Sequence, residues 1–361
     1  MRRRELLTGA GALAVAGCAQ EKNATDNTVA NESFEWKMVT TWPLNFPGMG
    51  TGVARLAKQI EQASGGRLKI KVFAAGELVP AFEVFDTVSR GSAEMGHGAA
   101  YYWKGKTEAA QFFTAIPFGM NAMEMNGWLY YGGGLELYRE LYAEFNLRPF
   151  PAGNTGVQMG GWFNREINSL ADLKGLTMRI PGIGGEALQR AGGTPVTLPG
   201  AEIFTALKTG SIDATEWVGP YNDMIMGLHE AARYYYYPGW QEPGPTLECI
   251  VNQEAFATLP EDLQQIVELA CSALNDQMTA EFFARNAEYL VQLEQIESVE
   301  IRPFPTEVLQ QLRELTDELL SEMVARDERA AKIYASFSAY KKQAERWSAI
   351  SEQAFLNTRD S

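Results

Sequence analysis

Residues 176–218 read LTMRIPGIGGEALQRAGGTPVTLPGAEIFTALKTGSIDATEWV. Short apolar runs at 176–180, 194–198 and 213–218 alternate with helical spacing at 185–191 and 201–208. Strand runs punctuated by Gly and Pro and separated by helices imply mainly parallel sheets with helices on their faces. The same grammar extends outward. Upstream, 36–40, 68–73 and 157–163 predict strands, 52–63 and 81–89 predict helices, and a longer helical stretch covers 121–145. Downstream, 222–232 predicts another helix. The fold class is α/β.

Two irregular segments divide this pattern. Arg148-Pro149-Phe150-Pro151-Ala152-Gly153 is a proline–glycine crossing, and Tyr234–Tyr237 followed by Pro238-Gly239-Trp240 is a second. A chain that leaves one lobe and returns to it needs two crossings. The expected organisation is lobe I at 34–152 plus about 240–300 and lobe II at 153–239. A hinged ligand cleft then lies between them. Leu259-Pro260-Glu261-Asp262 starts a further helix, running to about residue 297. A long C-terminal helix is expected at 304–355: after Pro303 and Pro305 there is no Gly or Pro to the end, and Leu312, Leu315, Leu319, Met323, Ile333, Phe337, Tyr340 and Trp347 recur at helical intervals. An unbroken helix of about 40 residues would be about 60 Å long. Either it bends back over its own body or it packs on a second copy as a dimer arm.

Composition narrows the function. The 361 residues are 46% apolar and 21% charged, which is globular rather than disordered. A formal charge of −14 argues against nucleic acid and anionic lipid as partners. His97 and His229 are the only histidines, which leaves little material for zinc sites or histidine base catalysis. His97, flanked by glycines, reads as structural. Gly182-Ile183-Gly184-Gly185 opens a helix but lacks the spacing and lysine of a phosphate loop.

The N-terminus reads as an export leader. Residues 1–17 have a basic head, a short apolar middle and a small-residue exit, as a signal peptide does. Arg3-Arg4-Glu5-Leu6-Leu7 resembles a twin-arginine signal, and Val15-Ala16-Gly17-Cys18 a lipobox whose cysteine is lipidated. Residues 18–33 would then be the anchored Cys18 and a flexible tether. Only Cys249 and Cys271 follow, and both a disulfide and two buried thiols fit their surroundings.

Candidate chemistry gathers in three segments: Asn154–Trp162, Met178–Gly182 and Asp213–Asp223. Arg179 ends a strand just before Pro181-Gly182, and α/β sheets collect ligands outside the carboxyl ends of their strands. A guanidinium grips a carboxylate through two parallel hydrogen bonds, each worth about 1.5–3 kcal/mol. Glu216 and Trp217 occupy a similar strand end, and with Gln158 and nearby carbonyls Glu216 offers hard oxygen ligands for Na⁺ or Ca²⁺. The alternative use of Glu216 is as the base of an exported metal-assisted enzyme. No Ser–His or Cys–His constellation supports that reading.

Together with Ser64-Gly65-Gly66-Arg67-Leu68, Ala75–Pro80 and Asp172–Gly182, these segments resemble the substrate-binding subunit of tripartite ATP-independent periplasmic (TRAP) transporters. The resemblance runs over about residues 34 to 345. Asn154–Trp162 and Glu216–Asp223 look like the branch that binds small 2-oxo or 2-hydroxy monocarboxylates with a metal ion. It implies a two-lobed, type II-like periplasmic-binding-protein fold and no enzymatic activity. It also implies that Arg179 pairs with the substrate carboxylate. Gln158, Glu216 and Gln241 would give side-chain oxygens to the cation, and Trp217 its main-chain carbonyl. Tyr101, Asn154 and Asn222, with Gln158, would be polar partners of the ligand. The implied partners are the membrane permease subunits and a second copy joined through the C-terminal helix. An acid of about six non-hydrogen atoms, at about −1.5 kcal/mol per atom, reaches little beyond micromolar affinity. A cation that satisfies its second oxygen is therefore useful.

Overall fold

The computed structural model describes residues 32–359. The leader, Cys18 and nearly all of the tether fall outside the described residues. In chain order the first lobe supplies β1 (Phe34–Thr40), α1 (Met49–Ala63), β2 (Leu68–Phe73), α2 (Val84–Ser89), β3 (Met95–Gly98), α3 (Ala122–Tyr131), α4 (Gly134–Ala143) and β4 (Leu147–Asn154). Then come β5 (Gly161–Phe163), β6 (Thr177–Arg179), α5 (Gly182–Arg190), β7 (Thr194–Val196), α6 (Gly200–Thr209), β8 (Ala214–Thr215), α7 (Pro220–Ile225) and β9 (Tyr234–Tyr237). The chain returns through β10 (Thr246–Asn252), α8 (Gln253–Thr258) and α9 (Glu261–Leu293), and ends with β11 (Glu300–Pro303), α10 (Thr306–Arg326), α11 (Glu328–Ile350) and α12 (Glu352–Arg359).

Two sheets result. The first has strand order β2-β1-β3-β10-β4, the second β11-β9-β5-β8-β6-β7. β1 pairs in parallel with β2 and β3, and β6 with β7 and β8, as expected of βα repeats. The returning β10 is antiparallel to β3 and β4, and β5 is antiparallel to β8 and β9. α1 buries Met49, Val53, Leu56 and Ile60 along one face, the helical stripe that its sequence spacing predicts.

Helix α9 is a spine common to both halves. At about 1.5 Å per residue, its 33 residues span about 50 Å. Asn275 Oδ1 accepts from the Gly153 amide at 3.2 Å beside the first sheet, while Asn286 Oδ1 accepts from Tyr221 of α7 at 3.0 Å.

Three sequence expectations are corrected. The segment 148–153 is not an irregular crossing but the body of β4. It tolerates Pro149 and Pro151 because β4 is the edge of its sheet, where a missing amide costs no ladder bond. The strand expected at 157–163 shrinks to β5, since Met159 and Gly160 turn to donate to the Val218 and Tyr236 carbonyls. The C-terminal helix is not unbroken. Asp327 is extended (φ −132°, ψ 114°), and its carboxylate caps α11 by accepting from the Arg329 and Ala330 amides. α10 thereby packs on α5 and α11 on α3 and α4, with Leu319, Met323, Ile333 and Phe337 buried. This much of the arm wraps its own body. Cys249 and Cys271 are both buried and free.

In β10, Glu248 is buried and accepts from Trp103 Nε1 and the Tyr138 hydroxyl. Burial pushes its carboxyl up to about 7, against the pull of those donors. A carboxyl raised on folding contributes stability that is fully present below its unfolded value and is lost as pH rises through the folded one. Glu248→Gln should therefore flatten the decline in thermal midpoint between pH 5 and pH 8, as read by calorimetry. An unchanged slope would remove Glu248 from the account.

Candidate functional site

The carboxyl ends of the second sheet's strands meet the first lobe at one buried point. Arg179, the last residue of β6, is 1% exposed. Its Nη1 donates to the Glu216 carbonyl at 3.1 Å and pairs with Glu216 Oε1, its Nε reaches the Leu198 carbonyl at 3.4 Å, and its Nη2 donates to the Tyr102 hydroxyl at 3.3 Å. The expected anion hook and the expected cation ligand thus form an ion pair with each other. The guanidinium also lies 5.1 Å from the Trp217 ring centroid.

The pair is electrostatically loaded. Burial pushes the Glu216 carboxyl up, to about 7, while Arg179 pulls it down. Burial weakens the hold of Arg179 on its proton, yet Glu216, the two tyrosines and Glu242 outweigh that and the net direction is upward.

Around the pair, buried oxygens lack partners while the opposite ends of their side chains are tied down. Gln158 Nε2 donates to Thr155 Oγ1 at 3.1 Å and Glu242 Oε2 at 2.9 Å, leaving Gln158 Oε1 bare. Gln241, beside Glu216, donates from Nε2 to the Met159 carbonyl at 2.9 Å and leaves its Oε1 bare. Glu216 Oε2 is bare as well. Buried oxygens without donors are costly. Two amides and a carboxylate are the oxygen set that suits Na⁺ or Ca²⁺, and the residues present fit such a cation. Among the described residues no cluster of three or more His, Cys, Asp or Glu side chains forms a metal site. Backbone geometry enforces the arrangement. The Gly239 amide donates to the Gln158 carbonyl at 2.9 Å, and a Cβ on Gly239 would stand 2.2 Å from that oxygen.

A cavity of about 10 Å³ lies against Arg179, lined also by Trp42, Met49, Tyr101, Tyr102, Thr155, Gln158, Trp217 and Leu247. Lobe I covers it. Trp42 and Phe46 meet the Trp217 ring edge-on, with centroids 6.4 and 5.8 Å away. Trp42 is itself fixed, donating from Nε1 to His97 Nδ1 at 2.8 Å while His97 Nε2 lies 2.9 Å from the Ala152 carbonyl. That arrangement makes His97 a neutral structural imidazole, and burial lowers its pKa to about 4.

Of the residues singled out in the sequence, Arg179, Gln158, Glu216, Trp217, Gln241 and Tyr101 come together here. Asn222 lies across the lobe junction, with Nδ2 donating to the Pro47 carbonyl at 3.1 Å and a buried, bare Oδ1. Asn154 is spent on its own backbone surroundings: it donates to the Gly244 carbonyl and Thr246 Oγ1 and accepts from the Gly156 amide. Two carboxylates escaped the sequence reading. Glu242 is buried against Gln158 and Tyr101, where burial and then Glu216 push its carboxyl far up. No local signal marks it, since an acid beside Pro243 reads as a solvated loop residue. Asp223 accepts from Trp162 Nε1, the Tyr235 hydroxyl and the Val218 and Gly219 amides, and so ties down the turn after Trp217.

Two lobes meeting over a buried arginine, beside buried oxygens of a kind that suits a hard cation, are the arrangement of a ligand-capturing protein. Relatives agree. The profile of the bacterial extracellular solute-binding protein family 7 matches residues 38–327. A monocarboxylate 2-oxoacid-binding periplasmic protein of Nostoc sp. is 42% identical over 99% of this chain and 98% of its own. A TRAP periplasmic solute-binding protein from Colwellia psychrerythraea, solved with calcium and pyruvate, is 44% identical with a TM-score of 0.89, covering 91% of this chain and 100% of that one. Another from Pseudoalteromonas atlantica, solved with sodium and pyruvate, is 45% identical with a TM-score of 0.88, covering 90% and 99%. The chain belongs to the family 7 bacterial extracellular solute-binding proteins, the solute-binding subunits of TRAP transporters.

Asp223→Ala would leave four donors unsatisfied and should cost at least about 2 kcal/mol in urea unfolding. A loss under about 0.5 kcal/mol, the range of ordinary surface changes, would contradict its assigned role.

Proposed function

We propose that the protein captures a small 2-oxo or 2-hydroxy monocarboxylate, of the size of pyruvate or lactate, together with Na⁺ or Ca²⁺, and presents it to TRAP permease subunits. The observation that carries this reading is the Arg179–Glu216 pair surrounded by the bare oxygens of Gln158, Glu216 and Gln241. An acid that takes Arg179 alone leaves Glu216 without a counter-charge, and a cation that takes Glu216 alone leaves Arg179 without one. Bound together, they satisfy both. Arg179 would hold the carboxylate and Gln158, Glu216, Gln241 and the Trp217 carbonyl the cation, which neutralises Glu216 and meets the ligand's second oxygen. Tyr101 and Asn222 would complete the polar surround. The cavity is small enough that the lobes must part to admit an acid, with the hinge where the chain leaves β4 and where it returns to β10.

No nucleophile or general base is required, so the protein acts as a receptor and not an enzyme. The leader supports export by a twin-arginine-type signal and lipid anchoring at Cys18, which holds the receptor near its permease. α12 buries nothing and leaves Phe355 and Leu356 exposed beyond Trp347 and Ile350. It is the part of the C-terminal arm available to a second copy.

Isothermal titration tests the core of this reading. Pyruvate affinity should rise with Ca²⁺ or Na⁺, and cation affinity should rise with pyruvate by the same factor, as linkage requires. Equal pyruvate affinity in chelator-treated, sodium-free buffer would overturn the coupled site. Arg179→Lys keeps the charge but loses the planar fork, and should weaken pyruvate binding at least about tenfold, with the thermal midpoint checking that the variant is folded. Wild-type affinity in that variant would remove Arg179 from the ligand.

A further inference from the structure

We propose that Glu242 is a positioning residue that fixes which atom of Gln158 faces the cation, so that the site presents an amide oxygen to a metal ion in place of an N–H₂ group that would repel it. This rests on the cation site proposed above.

A glutamine amide has one acceptor end and one donor end, and a half-turn exchanges them. At Gln158 one partner blocks the exchange. Nε2 carries two hydrogens, one directed to Thr155 Oγ1 at 3.1 Å and the other to Glu242 Oε2 at 2.9 Å. With Glu242 ionised, turning the amide would set its oxygen against the Glu242 oxygen with no hydrogen between them. A hydroxyl such as Thr155 can donate or accept, so Thr155 alone does not choose between the two orientations. Glu242 supplies the choice. Its carboxylate is itself held in place, 3% exposed, hydrogen-bonded to the Tyr101 hydroxyl and preceded in the chain by the ligand candidate Gln241. The outcome is the bare Gln158 Oε1 beside Arg179. Gln241 follows the same logic by simpler means, its Nε2 committed to the Met159 carbonyl. Partners behind the ligands of a metal site commonly change metal affinity by about 10- to 100-fold when removed.

The test compares Glu242→Gln with Glu242→Leu in the full mature chain, using calcium chloride alone as the titrant in calorimetry and then pyruvate with saturating calcium. Gln keeps an oxygen for Gln158 Nε2 and can turn its own amide nitrogen to the Tyr101 hydroxyl, while Leu can accept nothing. The expected result is calcium affinity within about threefold of wild type for Gln and a loss of about tenfold or more for Leu. Equal affinity in all three proteins overturns the proposal. So does an equal loss in both variants, which would assign the effect to charge instead of orientation. Thermal midpoints in chelator check that each variant is folded. If the Leu variant does not fold, Glu242→Ala, which also removes the acceptor, replaces it, with the same tenfold loss expected and wild-type affinity counting against the proposal. Failure of the wild-type protein itself to bind calcium and pyruvate would sink the receptor reading and is seen separately.

Discussion

A guanidinium and a carboxylate buried in contact, Arg179 and Glu216, govern the rest of this molecule. Taking two charges out of water is costly, and their attraction repays the cost only with good geometry and satisfied neighbours. Much of lobe II acts to supply those neighbours. The Leu198 carbonyl, at the end of one βα unit, and Tyr102, from the other lobe, complete the arginine's contacts. Replacing such a pair with apolar side chains would often stabilise a protein. Its retention here is understood through what the charges do for a ligand.

The site also explains why closure is specific. Trp217 joins three roles through one backbone position: its ring stacks under Arg179, its edge receives Trp42 and Phe46, and its turn is tied by Asp223. The lobes therefore meet on the Arg179–Glu216 pair itself. A disturbance of that pair is felt directly by the aromatic residues that join the lobes.

Much of this was legible in the sequence, and the omissions have physical reasons. Repeated strand and helix signals revealed the two sheets, because burial imposes periodicity on every element that covers a core. Arg179 was readable because it interrupts an apolar strand just ahead of Pro181. Strand β4 was obscured because Pro149 and Pro151 deny a strand unless it lies at an edge, and edge position is a tertiary fact. The break at Asp327 had a signal, an acid that can cap a following helix, but no Gly or Pro to announce it. Asn154 looked like a ligand contact and is instead bound to its own turn. Glu242 became a site residue only through partners distant in sequence, Tyr101 and Gln158.

The tail on either side of Asp327 has a mechanical meaning. On its N-terminal side α10 grips α5, next to Arg179's strand; on its C-terminal side α11 grips α3 and α4 in the opposite lobe. α10 also seats Leu320 and Met323 among core residues of that opposite lobe, so the tail is a strap fastened to both jaws before it reaches Asp327. If the lobes part as proposed, that double fastening limits how wide the mouth can gape.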